Sequence, residues 1–365
     1  MARKSSRAAG QPVDKIRMGV VGLGGIFNAV HAPALLKHPE VEIVAACDIV
    51  KERAQKFAQA HGIKQVYQDY GELVARPEVD AVDICTPNLF HSEIAVAALK
   101  AGKHVITEKP DAVSVAEARR MVAAAQDSGR VLMAMRNNRF RPQARFMKQY
   151  IEEGHAGEIY TGRCGWIRRR GIPGKGGWFT TKALSGGGPL IDLGVHMIDL
   201  ALWMMGNPRP VSVTGATYCK FAQATGSDSV HSQFGEAKAG GTFDVEDLAS
   251  GFIRFANGAT LQIEFSWASN IEEETTFVEL RGTRAGLVLK NEELRVYTEL
   301  AGAPCDIKPR LRADAVGQHA RYLNHFIEVL RGRAEPTIRP EHGLAMIQIL
   351  SAIYESAQTG REVRL

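Results

Sequence analysis

The chain has 365 residues, 45% of them hydrophobic, a length and composition typical of a soluble globular protein with two domains. Most of the formal net charge of +5 lies in residues 1–17, so the rest of the chain lacks the basic excess of a nucleic-acid-binding protein. No apolar run is long enough to cross a bilayer. Five widely spaced cysteines without a Cys-x-x-Cys motif argue against a disulfide framework or a structural zinc site and favour a cytoplasmic location.

Residues 1–15 are predicted to form a disordered basic leader, because the segment is polar and carries several lysines and arginines. An arm that contacts nucleic acid is the less favoured alternative. The segment has no apolar stretch of the kind found in signal peptides, so we expect no secretion signal.

From residue 16 to residue 137, short β-rich runs alternate with segments of helical length. The predicted strands are residues 16–22, 41–48, 81–85, 104–107 and 131–136. Several of these runs are continuously apolar, as expected for parallel strands that are covered on both faces. Gly62, Gly102 and Gly129 each follow a helical segment, where a left-handed residue commonly ends a helix. The pattern predicts an α/β domain with a doubly wound parallel sheet.

A glycine-rich turn, residues 22–27, follows the first predicted strand, and Asp48 ends the second. A strand, a glycine-rich turn, a helix and a terminal acid together are typical of a Rossmann domain that binds a dinucleotide, although Phe27 replaces the third glycine of the motif. We expect NAD to be preferred over NADP, because the Asp48 carboxylate would repel a 2′-phosphate. The predicted dinucleotide contacts in this region are Gly22, Gly24, Gly25, Ile26 and Asp48.

Polar residues also follow the strands predicted to end at residues 85 and 107. Ligands of open parallel sheets bind outside the carboxyl ends of the strands. The predicted contacts near the nicotinamide are therefore Thr86, Asn88, His91, Glu108 and Lys109. The alternatives are that His91 caps the following helix and that Glu108 and Lys109 form a surface ion pair.

Residues 138–365 are predicted to form a second, α+β domain with a large, mainly antiparallel, open sheet, because successive strands lack helices between them. Its predicted strands are residues 158–169, 211–221, 248–255, 260–266, 276–281 and 287–289. Helices are predicted at residues 142–154, 313–330 and 339–359. Residues 223–241, polar and rich in small residues, are predicted to form a long mobile loop.

A further helix is predicted over residues 189–205, where Pro189 suits the first turn and Gly206 ends the run. The segment is apolar almost all round, which predicts burial. Its polar side chains, Asp192, His196 and Asp199, are spaced to fall on one stripe and to meet a common partner. Because a carboxylate beside an imidazole is suited to acid/base chemistry, we favour a catalytic role over a narrow solvent-facing stripe.

Trp166, Arg168 and Arg170 are predicted to point to one face of a strand and Arg169 to the other. Trp166, and Trp178 in a glycine-rich loop, could cover the apolar face of a sugar ring. Three consecutive arginines are more often paired on a sheet surface or at an oligomer contact, which favours a neutral over an anionic sugar. The alternative is that the arginines bind a carboxylate or phosphate in the pocket.

Four segments, residues 22–26, 85–91, 108–110 and 192–196, resemble in order and spacing the glucose-fructose oxidoreductase/inositol dehydrogenase/MocA family. The similarity runs from about residue 16 to residue 365. It implies that the second sheet forms the floor of the substrate site and a homodimer or homotetramer contact, and that the substrate is a carbohydrate, glycoside or cyclitol. Asp111 departs from the apolar residue usual after Glu-Lys-Pro, and we expect it to alter the field near Lys109.

The favoured function is an oxidoreductase that moves hydride between NAD and a secondary alcohol, with Lys109, Asp192 and His196 as catalytic residues. Whether His196 or Lys109 is the formal base is left open. The predicted substrate contacts are Lys109, Trp166, Arg168, Trp178, Asp192 and His196. The alternatives are an NAD-assisted glycosidase, which would release sugar without accumulating NADH, and a non-catalytic sugar or dinucleotide sensor. No metal is predicted, because the His and carboxylate spacing does not form a closed ligand set. No membrane or nucleic-acid partner is predicted either.

Overall fold

A computed structural model describes residues 15–224, 234–312 and 316–365 and contains two sheets. The first sheet has six parallel strands in the order β3-β2-β1-β4-β5-β6. These strands are β1 (Ile16–Val21), β2 (Val41–Cys47), β3 (Gln65–Tyr67), β4 (Ala81–Ile84), β5 (His104–Thr107) and β6 (Leu132–Ala134). The predicted doubly wound Rossmann sheet is confirmed. The sequence did not predict β3, a three-residue edge strand that is only partly buried.

The second sheet has nine strands in the order β14-β13-β12-β11-β7-β10-β9-β8-β15. All its neighbouring strands are antiparallel except β7 and β10, so the predicted, mainly antiparallel sheet is confirmed. The strands are β7 (Ile159–Ile167), β8 (Pro210–Tyr218), β9 (Leu248–Phe255), β10 (Thr260–Ser266), β11 (Thr275–Gly282), β12 (Ala285–Lys290), β13 (Glu293–Leu300), β14 (Ala303–Ile307) and β15 (Val363–Arg364). Strands β13, β14 and β15 were not predicted, because they lie at or next to an edge of the sheet and their side chains are mostly exposed.

Helices cover the first sheet and line one side of the second. In chain order the α-helices are α1 (Ala32–Lys37), α2 (Lys51–His61), α3 (Tyr70–Val74), α4 (His91–Lys100), α5 (Val115–Ser128), α6 (Pro142–Glu152), α7 (Lys182–Ser185), α8 (Val195–Met204), α9 (Gln318–Leu330) and α10 (Pro340–Thr359). The predicted helix over residues 189–205 divides into a π-helical segment, Leu190–Gly194, and α8. Its first turn is stabilised by the buried Glu246 carboxylate, which accepts hydrogen bonds from the backbone N–H groups of Gly188 and Leu190.

Helix α9 packs against the first sheet although it follows the second in the chain. Tyr322 and Phe326 are fully buried in the same cluster as Met18 and Val20 of β1. The domain boundary at residue 137 stays a prediction, but the hydrophobic core of the first sheet includes this later helix. Residues 1–14 of the predicted leader, residues 225–233 of the predicted loop, and residues 313–315 of the predicted helix lie outside the described residues. Within the described ranges, no helix is both long enough and apolar enough to span a membrane.

Candidate active site

The glycine-rich turn after β1 leaves room for a ligand at the edge of the first sheet. Gly22 has a φ of +89°, and a Cβ there would lie 2.7 Å from the Cys85 carbonyl carbon, so only glycine fits. By contrast, Cβ atoms added at Gly24 or Gly25 would meet nothing within 4 Å. The hydroxyl oxygen of Thr86, in the loop that Gly22 contacts, is buried and has no hydrogen-bond partner in the described part of the chain. The open backbone and this unpartnered oxygen fit a bound dinucleotide.

Asp48 joins the end of β2 to the glycine-rich turn. Its Oδ2 accepts a hydrogen bond from the Leu23 backbone N–H at 2.8 Å, and its Oδ1 accepts one from Val50 at the same distance. Asp48 is only 5% exposed, whereas the neighbouring Ile49 is 85% exposed. Ile26 is half-buried and packs against the core of the first sheet. Asp48 therefore stabilises the turn itself, and each of its oxygens retains a second lone pair.

His91 is fully buried, which corrects the prediction that it contacts the dinucleotide. Its Nδ1 lies 2.7 Å from the Pro110 carbonyl oxygen, and its Nε2 lies 2.8 Å from that of Thr86. The alternative is wrong as well, because His91 makes no side-chain capping bond to α4. Asn88 is also buried and donates from Nδ2 to the Ser185 carbonyl oxygen at 2.8 Å. Both side chains hold loops together at the strand ends.

Glu108 belongs to a buried network that the sequence did not predict. His31, on the helical segment after the glycine-rich turn, places Nε2 2.9 Å from Glu108 Oε1 and Nδ1 2.9 Å from Asp83 Oδ2. Burial alone would lower the pKa of His31, but Asp83 and the nearby Cys85 thiol raise it well above its usual value. Burial would likewise raise the pKa of Glu108, yet the hydrogen bond and charge of His31 hold it far below normal. Glu108 is therefore not part of a surface ion pair.

The same network contains three atoms of metal-ligand type. The side chains of His31, Asp83 and Cys85 bring ligand atoms within 4.8 Å of one another, and all three are buried. These groups are already hydrogen-bonded to one another, since His31 Nδ1 contacts both the Asp83 carboxylate and the Cys85 sulfur. Burial also raises the pKa of the Cys85 thiol, which disfavours the thiolate that a metal ion needs.

Lys109 and Asp192 form the centre of the site. Lys109 Nζ donates to Asp192 Oδ1 at 2.6 Å and to the Asp192 backbone oxygen at 3.0 Å. The indole N–H of the fully buried Trp267 donates to Asp192 Oδ2 at 2.9 Å. Burial would raise the pKa of Asp192, but Lys109 and Arg168 lower it to about 2. The pair is therefore a carboxylate with an ammonium, held in a fixed geometry.

The imidazole of His196 lies beside this pair. In the part of the chain that the structure describes, neither of its ring nitrogens makes a hydrogen bond, and its ring centroid lies 6.1 Å from that of Trp166. Burial and the Lys109 charge lower the pKa of His196 to about 3, so its imidazole is neutral at physiological pH. His319 of α9 interacts electrostatically with His196, Lys109 and Glu108. A neutral imidazole beside a fixed ammonium can accept a proton from a substrate hydroxyl.

Asp199 does not share the partner of Asp192 and His196, which corrects the prediction of a single functional stripe. Its carboxylate lies 2.7 Å from Arg139 Nη2 and 3.1 Å from Arg136 Nε. Arg136 also pairs with Asp111, so the unusual carboxylate after Glu-Lys-Pro is engaged by a guanidinium. This buried cluster joins the end of β6 to α8 and is structural.

Of the three consecutive arginines, Arg168 lies beside the Lys109–Asp192 pair and not on the sheet surface. It is 5% exposed, and its guanidinium carbon lies 5.0 Å from the centroid of the Trp166 ring. Arg170 instead donates to the Ser269 carbonyl oxygen and stacks over Phe221. Trp178 stacks on Phe179 with ring centroids 3.8 Å apart, and its proposed contact with substrate stays a prediction.

The structure therefore brings together Lys109, Asp192, His196, Trp166 and Arg168 from among the predicted residues. Sequence reasoning missed three further residues of this region: Trp267, His319 and His31. Trp267 directly follows Ser266, which pairs with Ile167 at the end of the neighbouring strands β10 and β7, and this position is the signal that could have identified it. No local sequence pattern distinguishes the two histidines.

Comparison with known proteins identifies the family. Residues 16–135 match the model of an oxidoreductase family with an NAD-binding Rossmann fold, and residues 144–288 match the Gfo/Idh/MocA C-terminal domain. The chain is 35% identical to D-glucoside 3-dehydrogenase of Escherichia coli K12, over 96% of this chain and 97% of that protein. It belongs to the Gfo/Idh/MocA family. This Gfo/Idh/MocA protein is an oxidoreductase with NAD as its cofactor, as the sequence predicted.

Other members of the family are similar over most of their length. Levoglucosan dehydrogenase of Pseudarthrobacter phenanthrenivorans is 30% identical, with 78% of this chain and 76% of that protein aligned. A solved levoglucosan dehydrogenase in complex with NADH and levoglucosan superimposes with a TM-score of 0.82 at 25% identity, covering 96% of this chain and 99% of that one. GenD2 from gentamicin A biosynthesis, solved with NAD, has a TM-score of 0.77 at 28% identity, with 99% of each chain covered.

Proposed function

We propose that this protein transfers hydride between NAD and a ring secondary hydroxyl of a sugar, glycoside or cyclitol. The observation that carries the proposal is the Lys109–Asp192 pair beside a neutral His196 whose ring nitrogens are free of hydrogen bonds in the described chain. Related proteins of the family are named for oxidation of glucosides and levoglucosan. The three side chains supply a fixed positive charge and a proton acceptor at one position, which oxidation of an alcohol requires.

NAD would be held by the turn after β1, with Gly22, Gly24 and Gly25 close to its phosphates and Asp48 close to the adenosine ribose. The unpartnered Thr86 hydroxyl is positioned to hydrogen-bond to it. When bound, the cofactor supplies the hydride acceptor for the oxidation.

Lys109 is proposed to stabilise the negative charge that develops on the substrate oxygen. Two of its three N–H groups already donate to Asp192, which leaves one for a ligand. Asp192 is in turn held by Trp267, so the ammonium direction is set before substrate binds. His196 is proposed to accept the hydroxyl proton, because it is neutral and has no competing hydrogen bond among the described residues.

The substrate is proposed to lie between this pair and the aromatic side chain of Trp166. A flat indole fits the apolar face of a pyranose or cyclitol ring, and Trp166 is already placed beside His196. The second predicted tryptophan, Trp178, is proposed to contact the substrate from the glycine-rich loop before α7.

We further propose a homodimer or homotetramer that associates through the nine-stranded sheet. Exposed aromatic side chains, Tyr160, Tyr218 and Tyr297, lie on three of its strands. A cytoplasmic location is proposed because all five cysteines are unpaired. Sedimentation of the purified chain tests the assembly, and a monomer at micromolar concentration would contradict it.

The test of the function is an assay of sugars, glycosides and cyclitols in which both NADH absorbance and free-sugar release are followed. NADH formed in proportion to oxidised substrate is the expected outcome. Sugar release without net NADH would instead identify an NAD-assisted glycosidase. Exhaustive chelation should leave the activity intact, since the proposed site uses Lys109 as its cation.

A further inference from the structure

Arg168 is a buried guanidinium without a carboxylate partner. Four arginines in the described chain are buried, and three of them, Arg136, Arg139 and Arg141, lie within 3.1 Å of a carboxylate oxygen. Arg168 forms no ion pair there, and its single hydrogen bond runs from Nη1 to the Gly171 carbonyl oxygen at 3.0 Å. Its Nε is buried and has no hydrogen-bond partner among the described residues.

The nearby carboxylates are already occupied by other groups. Asp192 and Glu274 both act on Arg168 electrostatically, yet neither lies within ion-pair distance of it. Asp192 accepts hydrogen bonds from Lys109 and Trp267, and Glu274 accepts one from the Arg169 backbone N–H. Asp192 is thus paired with Lys109, and among the described residues no carboxylate lies within ion-pair distance of Arg168.

A buried, unpaired charge destabilises a fold, so its presence beside a binding site indicates a ligand that compensates it. Arg168 lies on the substrate side of the site, since its guanidinium covers the Trp166 ring that faces His196. Its Nε and Nη2 form an edge without hydrogen bonds in the described residues, and such an edge matches two oxygens of a carboxylate or phosphate.

We propose that Arg168 binds an anionic substituent of the substrate, so that the protein prefers a sugar carrying a carboxylate or a phosphate over its neutral counterpart. The proposal rests on the proposed function and narrows its substrate class. It also replaces the expectation of a neutral sugar, which assumed that Arg168 was paired on the sheet surface.

The test compares matched substrates with NAD: methyl β-D-glucopyranosiduronate against methyl β-D-glucopyranoside, and D-glucose 6-phosphate against D-glucose. In the wild type, kcat/KM should be at least about 10-fold higher for the anionic member of one pair than for its neutral member. The pair that shows this difference identifies the bound group as a carboxylate or a phosphate. Arg168→Gln should narrow that ratio, and Arg168→Lys should restore it in part. Arg163→Gln is the control, because Arg163 lies on β7, the strand that Arg168 directly follows, but is exposed and paired with Glu279.

Stability separates this role from a structural one. Arg168→Gln removes an uncompensated charge, so its Tm should equal or exceed that of the wild type; a marked loss of Tm would overturn the proposal. Equal kcat/KM for both members of both pairs would also overturn it. If none of the four sugars yields NADH, the proposed function fails for them, and thermal shifts with NAD present still decide the inference. The anionic sugar must then raise the Tm of the wild type more than the matched neutral sugar does. It must also raise the Tm of Arg168→Gln less than it raises the Tm of the wild type.

Discussion

The ammonium nitrogen of Lys109 lies 2.6 Å from Asp192 Oδ1, although the two residues are 83 positions apart in the chain. Lys109 lies two residues after the end of β5, and Asp192 lies on the π-helical segment that precedes α8. The contact therefore joins the Rossmann sheet to the second sheet at the carboxyl edge, where dinucleotides bind in such folds. The proposed catalytic ion pair therefore forms only in the folded protein.

Loss of either catalytic side chain should reduce turnover without abolishing cofactor binding. We expect Lys109→Ala and His196→Ala each to lower kcat by at least about 100-fold, because acid/base and electrostatic terms carry roughly that much. Affinity for NAD, measured by fluorescence titration, should stay within about 3-fold, because neither side chain belongs to the turn after β1. The exposed residues Lys100 and His155, replaced by alanine, are the controls. Near-normal kcat in both catalytic variants would contradict the proposed site.

The neutral state of His196 makes stability depend on pH. Because its pKa falls from 6.5 to about 3 on folding, the unfolded chain binds a proton between these pH values and the native protein does not. Folding stability contributed by neutral His196 is thus full above pH 6.5 and is lost as the pH falls toward 3.

Urea unfolding at several pH values measures this effect. The free energy of unfolding of the wild type should fall more steeply below pH 6.5 than that of His196→Gln, by up to about 1.4 kcal/mol per pH unit. The groups that act on His196 are Lys109, Asp192, Glu108 and His319, and they are present in both proteins. His155→Gln, which changes an exposed histidine, should follow the wild type. Parallel curves for wild type and His196→Gln would contradict a neutral, partly buried imidazole.

Asp48 should set the preference for NAD. Its carboxylate would repel a 2′-phosphate, so we expect the wild type to have a lower KM for NAD than for NADP, and Asp48→Asn to shift the ratio toward NADP by about 10-fold. The two carboxylate oxygens of Asp48 each accept one backbone hydrogen bond, whereas the asparagine side chain has a single acceptor oxygen and can keep only one of them. Asp69→Asn, which alters a comparable backbone bond to Gly71, controls for that loss. A lower KM for NADP in the wild type would refute the preference.

The buried cluster around Asp199 should be a major source of stability. Asp199→Asn removes the carboxylate that pairs with the buried guanidinium groups of Arg136 and Arg139. We expect the free energy of unfolding to fall by about 3–5 kcal/mol as a result. Glu279→Gln removes the partner of the exposed Arg163 and should cost less than about 1 kcal/mol. Denaturant titration of the two variants and the wild type gives both values, and similar losses would show that burial does not distinguish the pairs.

Local sequence determined much of the fold and part of the site. Short β-rich runs that alternate with segments of helical length identified five of the six parallel strands, and several of these runs are apolar because both faces of the sheet are covered. The turn at Gly22 was identified from its position between a strand and a helix, where positive φ and close backbone approach require glycine. Lys109 was found from its position after a predicted strand, and Asp192 and His196 were found from their spacing on one predicted helix.

Only the tertiary structure decided which charges meet. Asp192 and Asp199 are alike in sequence terms, yet one pairs with Lys109 and the other with Arg139, 60 positions away. Arg168 and Arg170 were predicted to share a face, but only Arg168 is buried beside the site. Pairing and burial depend on partners that distant segments supply, whereas periodicity records only which side of an element is apolar.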